Sequence, residues 1–242
     1  MKHESSGVTK HEVVSHEAWL AARTAFLKKE KEFTRLRDEL ARERRALPWE
    51  RVEKAYVFDA PGGQQTLAQL FGNRSQLAVY HFMFNPAADE GCRHCSFWAD
   101  SFDANVIHLE ARDVTMIAVS RAPYPKLSAY RERMGWSFKW VSSFGGDFNH
   151  DFGVSFTPQE LASGPVSYNY EREKMDMQDR EGVSFFYKDV EGAIFHSYSA
   201  YARGIDLLNT AYNFLDLSPK GRDEEALEFT QAWVRHHDRY ED

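Results

Sequence analysis

Two apolar runs of strand length, separated by a helical pattern, constrain the fold of this 242-residue chain more than any other feature. The first run covers residues 77–84 and the second covers residues 114–119. Runs that are almost continuously apolar are typical of strands covered on both faces of a sheet. The pattern therefore predicts a βαβ unit, with a parallel strand pair and a right-handed crossover.

Other local patterns extend this α/β arrangement. Two runs rich in aromatic and β-branched residues, 183–188 and 193–198, flank a turn and predict an antiparallel hairpin. Residues 142–181 are rich in Gly, Ser, Asp and Asn, which predicts long loops. Shorter patterns predict strands at 56–58 and 138–141, a helical turn at 66–71, and helices at 92–109, 123–134, 205–215 and 224–237.

A long amphipathic helix is predicted over residues 15–46, ending before Pro48. Its apolar stripe consists of Trp19, Phe26, Phe33 and Leu40, with Leu36 beside them. We expect the stripe to pack on the protein's own globular body, and the alternative is pairing with a second subunit in a homodimer. The expected domains are a helical extension at 1–50 and one domain at 51–242, with a loop insertion at 142–181.

Composition and charge bear on the partners of the chain. Hydrophobic residues make up 43% of the sequence and aromatic residues 14%, which is enough apolar surface for a core. The formal net charge is −7, and basic residues are mixed with acidic ones, which disfavours a nucleic-acid partner. Residues 1–9 are polar, and no window is apolar enough to span a bilayer. We therefore expect no membrane partner and a cytoplasmic location.

Cys92 and Cys95 are the only two cysteines of the sequence. The first turn of a helix brings residues at this spacing together, so the pair can form a reversible disulfide. The positive potential at a helix N-terminus favours a thiolate at Cys92, and neighbouring Arg93 and a protonated His94 add to it. Cys92 is therefore predicted to be the attacking nucleophile, and Cys95 to resolve the mixed disulfide.

Two other interpretations of the cysteine pair stay open. The thiols could be inert, or they could form half of a metal site completed by His81, His150 or His196. The sequence has no second Cys-x-x-Cys and no His-x-x-x-His segment. Redox chemistry without a metal or another cofactor is therefore favoured.

Three further residues are candidates for a role beside the pair. Trp98 is expected to pack in the core, with a position in the wall of the redox site as the alternative. His81, inside an apolar strand, is expected to be a hydrogen-bonded core histidine and not a proton donor. Arg203 follows the hairpin; pairing with a local acid is favoured over binding a substrate carboxylate or phosphate.

Several segments beside the cysteines carry a resemblance to a known family. They are residues 79–84, 90–92, 95–100, 182–189, 198–204, 206–209 and 216–223. In these segments the chain resembles the thioredoxin superfamily and, more closely, the bacterial family called domain of unknown function 899, described as predicted dithiol-disulfide oxidoreductases. The resemblance implies an α/β fold: a thioredoxin-like mixed sheet flanked by helices, with a long N-terminal helix and C-terminal helices. It also implies a redox-active disulfide and a protein or small-molecule thiol or disulfide as partner.

Two positions depart from the thioredoxin pattern. Thioredoxins have a cis-proline before the strand that faces the cysteines, whereas Glu181, Gly182 and Val183 stand there in this chain. Docking of a substrate peptide by that device is therefore not expected. Arg93 and His94 replace the Gly-Pro of thioredoxin, and a His before the second Cys is similar to oxidising members of the superfamily, which implies a raised reduction potential.

Alternative functions come from other classes of protein. The segment before Cys92 is similar to that of peroxiredoxins, which makes a thiol peroxidase the second enzyme hypothesis. Peroxiredoxins carry Pro-x-x-x-Thr-x-x-Cys, but Asp89 takes the Thr position here and Pro86 is displaced by one residue. A metal-binding thioredoxin-fold protein and a helical-arm interaction module with vestigial cysteines are the non-enzymatic alternatives. The favoured prediction is a thiol–disulfide oxidoreductase.

Overall fold

The computed structural model describes residues 11–240, so the polar segment 1–9 lies outside the described residues. The helices are α1 (His16–Ala46), α2 (Leu67–Leu70), α3 (Arg93–Asp103), α4 (Val106–Glu110), α5 (Tyr124–Arg133), α6 (Phe148–Asp151), α7 (Pro158–Ser163) and α8 (Thr210–Leu215). The strands are β1 (Glu50–Arg51), β2 (Val57–Ala60), β3 (Gly63–Thr66), β4 (Gln76–His81), β5 (Val114–Ser120), β6 (Lys139–Ser142), β7 (Val166–Tyr168), β8 (Glu171–Glu173), β9 (Gly182–Lys188) and β10 (Ile194–Tyr201). Two 3-10 helices cover Ala202–Leu208 and His237–Arg239.

An eight-stranded mixed sheet forms the centre of the fold, in the order β1-β10-β9-β4-β5-β6-β2-β3. β4 and β5 pair in parallel, from Gln76 opposite Val114 to His81 opposite Val119, and α3 and α4 lie between them in the chain. β6 continues the parallel part, whereas β9 runs antiparallel to both β4 and β10. The predicted parallel pair, the predicted hairpin and the α/β class with a mixed sheet flanked by helices are therefore confirmed.

The two faces of the sheet bury separate apolar cores. Because side chains alternate along a strand, Tyr80 of β4 and Phe82 just after it face the core that contains Cys95 and the buried part of α3. Leu77 and Val79 face the other core, which contains α2 and Phe148. The cysteines thus lie on only one face, beyond the carboxyl end of β4.

Helix α1 begins one residue after the predicted start and ends where predicted, and the Ser15 hydroxyl caps it by accepting a hydrogen bond from the Ala18 N–H. The prediction that its stripe packs on the globular body is wrong. None of its described residues is buried, and the side chains of Phe26 and Phe33 are 55% and 65% exposed. The heptad spacing shows that one side of a helix is apolar, but it does not specify the surface that covers it.

No helix within residues 11–240 is long and apolar enough to cross a membrane.

The helix predicted at 92–109 is two helices in the structure. The Asp103 carboxylate, at the end of α3, accepts hydrogen bonds from the main-chain N–H groups of Ser137 and Phe138. Asn105 then donates its side-chain amide to the carbonyl of Ser101. These bonds end the first helix at a place where the apolar periodicity continues.

Two more local predictions need correction. Residues 142–181 include α6, α7 and the β7–β8 hairpin in addition to loops, and Thr157 forms a capping box with Glu160 at the start of α7. The predicted helix at 224–237 is absent from this stretch, which folds as turns. The Glu224 carboxylate holds those turns by accepting hydrogen bonds from the Gln231 N–H and the Trp233 indole, so tertiary bonds replace a helical ladder.

Candidate active site at the start of helix α3

Cys92 is the N-cap residue of α3. Its main-chain N–H donates to the carbonyl of Met83, at 3.1 Å, and its carbonyl accepts from the N–H of Ser96 at 2.9 Å. The first bond ties the start of the helix to the segment that leaves β4. The thiol of Cys92 makes no capping hydrogen bond and is partly exposed. Cys92 is therefore the sulfur of this pair that another molecule can reach.

Cys95 lies one turn deeper and is only 2% exposed. Its Sγ accepts a hydrogen bond from the N–H of Met83 at 3.4 Å, and its carbonyl accepts one from the Tyr80 hydroxyl at 3.4 Å. Cys92 and Cys95 are both free thiols and approach each other to 3.9 Å. The fold thus brings together the two cysteines that the sequence singled out.

The pKa values of the two thiols are shifted in opposite directions. A hydrogen bond from Cys95 holds the pKa of Cys92 well below its usual range, and a hydrogen bond from His94 acts in the same direction, against the effect of burial. Burial raises the pKa of Cys95 well above its usual range, and so does its bond to Cys92. The pair can therefore hold one thiolate at Cys92 and one proton on Cys95.

Close packing fixes the approach to the pair. A Cβ atom on Gly91 would lie 2.8 Å from a ring carbon of Phe82 and 2.9 Å from one of Tyr130, so only glycine fits between these rings. Its carbonyl accepts a hydrogen bond from His236 Nε2 at 3.0 Å. The residue before the nucleophile is thus held from the core side and from the C-terminal segment.

The C-terminal segment is a part of the site that the sequence did not reveal. Arg133 and Arg239 both donate to the carboxylate of Glu90, two residues before Cys92. The ring of Phe229 meets the edge of His94, with centroids 6.2 Å apart. No periodic pattern in residues 224–240 indicates these contacts, because they depend on long-range packing.

The family of the chain follows from its sequence. A family model described as "Bacterial protein of unknown function (DUF899)" matches residues 8–240. The chain belongs to the DUF899 family. No curated protein sequence matches the chain.

Solved structures similar to this DUF899 protein include several peroxiredoxins. Peroxidoxin BcpB from Mycobacterium tuberculosis has 14% identity and a TM-score of 0.46, with 66% of this chain and 92% of that chain covered. A peroxiredoxin Q mutant from Xanthomonas campestris has 16% identity and a TM-score of 0.40, with coverages of 65% and 90%. The mitochondrial 2-Cys peroxiredoxin from Plasmodium falciparum has 11% identity and a TM-score of 0.39, with coverages of 69% and 92%.

The other candidate residues of the DUF899 chain lie at different distances from the thiols. Arg93 and His94 lie on the partly exposed first turn, where Arg93 Nε donates to His94 Nε2 at 3.3 Å. Trp98 is buried in the core, and its indole donates to the carbonyl of Ile205. Arg203 lies elsewhere: its side chain is 89% exposed and pairs with Asp206.

His81 faces the opposite side of the sheet from the cysteines, stacked on Phe148. Its Nε2 lies 2.8 Å from the hydroxyl of Ser184, which is bonded to Ser199, and Ser199 is bonded to His196. Burial lowers the pKa of His81 to about 3, so the ring is neutral near pH 7. Within residues 11–240 no three His, Cys, Asp or Glu side chains are grouped as metal ligands.

Glu181 immediately precedes β9, and residues 11–240 contain no cis peptide bond. The residue is partly buried, and burial raises the pKa of its carboxyl. Its charge raises the pKa of Cys95, and the charge of Cys92 in turn raises that of Glu181. The sequence departs from the thioredoxin pattern at residues 181–183, but it does not show that the charge of Glu181 acts on a thiol.

Proposed function

We propose that the protein is a thiol–disulfide oxidoreductase in which Cys92 attacks and Cys95 resolves. The observation that carries the proposal is the unequal pair: a partly exposed Cys92 at the start of α3, with a buried Cys95 that approaches it to 3.9 Å. A nucleophile needs access and thiolate character, whereas a resolving thiol needs proximity and protection. The two cysteines divide these requirements between them.

The reaction exchanges one disulfide for another. The Cys92 thiolate attacks a sulfur of a substrate disulfide and releases the first substrate thiol. Cys95 then attacks Cys92 and releases the second substrate thiol, which leaves an intramolecular disulfide. The same steps run in reverse oxidise a substrate dithiol. Electrons move only between sulfur atoms, so the proposed reaction uses no bound cofactor.

The proposed partner is a protein or small-molecule thiol or disulfide, in the cytoplasm. The partly exposed first turn of α3 is the surface it would meet, where Arg93 and His94 flank the nucleophile. A positive charge beside Cys92 stabilises its thiolate, and thus favours the reduced form of the pair.

Trapping tests the proposal directly. In a Cys95→Ser variant the mixed disulfide at Cys92 cannot be resolved, so physiological partners stay attached and are identified by mass spectrometry after purification under non-reducing conditions. The matched control is the variant that lacks both cysteines. Adducts that depend on Cys92 and are removed by a reductant support the proposal, and they distinguish protein partners from low-molecular-weight thiols.

Three measurements separate the proposal from its competitors. Consumption of hydrogen peroxide that is lost in Cys92→Ser, without disulfide exchange, would make the protein a thiol peroxidase. Stoichiometric metal bound through the cysteines, found by elemental analysis after purification without a chelator, would contradict the exchange reaction. If Cys92→Ser and Cys95→Ser leave cellular function intact, the cysteines are vestigial.

A further inference from the structure

The strand register places Glu181 beside the segment that holds both thiols. Gly182 pairs with His81 at the end of β4, so Glu181 lies one position further, next to Phe82 and before Met83. Side chains alternate along a strand, so Glu181 shares a face with Val183, which belongs to the same core cluster as Cys95. The carboxyl therefore lies on the cysteine face of the sheet.

No cation neutralises this carboxyl by direct contact among the residues the structure describes. Its polar neighbour is the Tyr168 hydroxyl, which lies 3.4 Å from Oε1 and also donates to the main-chain carbonyl of Glu181 at 2.9 Å. Arg180 acts on the carboxyl through its charge, but its guanidinium contacts the Met175 sulfur and lies over the Tyr168 ring. Burial raises the pKa of this carboxyl, which has no ion pair within residues 11–240, so it can accept a proton and return it.

Several titratable or charged side chains act on this carboxyl. They are Cys92 at the N-cap of α3, Cys95 in α3, Tyr80 on β4, Tyr168 on β7 and Arg180, the residue before Glu181. Burial raises the pKa of Tyr80 and of Tyr168, so both hydroxyls stay protonated. Neither tyrosine can therefore act as the base. The carboxylate is the one base among these groups that stays available once Cys92 is bonded to a substrate.

Resolution requires such a base. Cys95 is 2% exposed, so solvent does not readily remove its proton. In the reduced pair the Cys95 thiol donates to the Cys92 thiolate, but a mixed disulfide at Cys92 removes that acceptor. The proton must then pass to another group before Cys95 can attack.

We propose that Glu181 is the proton-exchange residue for Cys95, which rests on the proposed exchange reaction at the same pair. The carboxylate takes the Cys95 proton, directly or through one water molecule, and the Cys95 thiolate attacks Cys92 Sγ. A Cys92–Cys95 bond forms and the bond from Cys92 to the substrate sulfur breaks, with its electron pair leaving on that sulfur. Cys95 is oxidised, the substrate sulfur is reduced, and the protonated carboxyl returns the proton to the leaving thiolate or to solvent.

Rapid mixing of the reduced protein with 5,5′-dithiobis(2-nitrobenzoate) resolves the two steps. The first thionitrobenzoate is released when Cys92 attacks, and the second when Cys95 resolves; Cys95→Ser stops after the first. In Glu181→Gln we expect the second phase near neutral pH to slow by about tenfold or more, since general bases contribute at least that factor. The first phase is expected to stay the same or become faster.

A purely electrostatic role gives the opposite sign. Removing a negative charge lowers the pKa of Cys95 and would speed the second phase. A second phase in Glu181→Gln that is faster or unchanged therefore overturns the inference. Glu181→Asp, which keeps the carboxyl, is expected to recover most of the rate, and Glu191→Gln, an exposed carboxyl in the β9–β10 turn, serves as the matched control.

The wild-type pH profile keeps the test decisive if Glu181→Gln does not fold. The second-phase rate is expected to rise with the ionisation of a carboxyl, below the range in which Cys95 itself ionises. A rate that follows only an alkaline thiol ionisation would overturn the inference. If the first phase persists in Cys92→Ser, the proposed function fails instead, so the two failures are distinguishable.

Discussion

The hydroxyl of Ser96 donates to the main-chain carbonyl of Cys92 and lies 2.9 Å from the hydroxyl of Tyr130. Ser96 has a single hydroxyl hydrogen, which the carbonyl accepts, so Tyr130 must donate to Ser96. The bonds connect the N-cap of α3 to α5, and Ser96 is fully buried. Cys92 is thereby anchored through its main chain, while the residue stays partly exposed.

Removing this hydroxyl should destabilise the fold. Ser96→Ala leaves the buried Tyr130 hydroxyl without its acceptor, and we expect a loss of about 1–3 kcal/mol in the free energy of unfolding. Tyr130→Phe leaves Ser96 bonded to the carbonyl and should cost less. Urea denaturation measures both variants, and the double variant should be less destabilised than the sum. Additive effects would mean that the two hydroxyls do not interact.

The reactivity of Cys92 should depend on its neighbour Cys95. The lowered pKa of Cys92 has the hydrogen bond from Cys95 as its main cause, so the thiolate persists below the pH at which an ordinary thiol is protonated. Cys95→Ala removes that donor and should move the midpoint of Cys92 alkylation to higher pH. Iodoacetamide labelling followed by mass spectrometry measures the midpoint. A midpoint that Cys95→Ala leaves in place would assign the shift to another group, such as His94.

Local sequence signals predict much of the framework that holds this site. The apolar runs at β4 and β5 fixed the parallel pair because continuous burial leaves an uninterrupted pattern in the sequence. The spacing of the two cysteines predicts a helix start, because the first turn of a helix brings such residues together. Both signals depend on residues that are close in the sequence, and both predictions agree with the structure.

Contacts between distant segments are less visible in the sequence. The C-terminal segment folds as turns because Glu224 accepts hydrogen bonds from residues seven and nine positions away. His236 reaches Gly91 across 145 positions. The place of Glu181 on the cysteine face depends on the register between β9 and β4. A sequence pattern does not specify the register between these strands. It also does not show which carboxylate accepts hydrogen bonds from distant residues.

Acid should weaken the fold through His81. The pKa of its buried imidazole is about 3, against an ordinary value of 6.5, so the folded state favours the neutral ring. This stabilisation is present above pH 6.5 and is lost as the pH falls from 6.5 towards 3, because the unfolded chain binds the proton more tightly. His81→Gln keeps a side-chain nitrogen for Ser184 and cannot be charged. Urea midpoints between pH 7 and pH 4 should fall less steeply in the variant; equal slopes would rule out His81 as a source of acid sensitivity.

Helix α1 should contribute little to the stability of the globular body. The Phe33 side chain is 65% exposed, so Phe33→Glu should change the free energy of unfolding by no more than about 0.5 kcal/mol. Phe58 is 1% exposed, and Phe58→Ala should cost about 3–5 kcal/mol. Urea denaturation at two protein concentrations measures both. A large, concentration-dependent effect of Phe33→Glu would show instead that the stripe is covered by a second copy of the chain.

The buried Glu181 carboxyl should cost stability as the pH rises. Its folded-state pKa is raised above the ordinary value of 4.5, so the fold favours the neutral acid. That contribution is fully present below pH 4.5 and is lost as the pH rises through the folded-state pKa. Glu181→Gln resembles the neutral acid at every pH, so its stability relative to wild type should increase between pH 4.5 and neutral pH. Thermal unfolding of both proteins across this range measures the difference. A constant difference would mean that the carboxyl titrates as it does in the unfolded chain, whereas the expected rise would show that the folded state raises the pKa of Glu181.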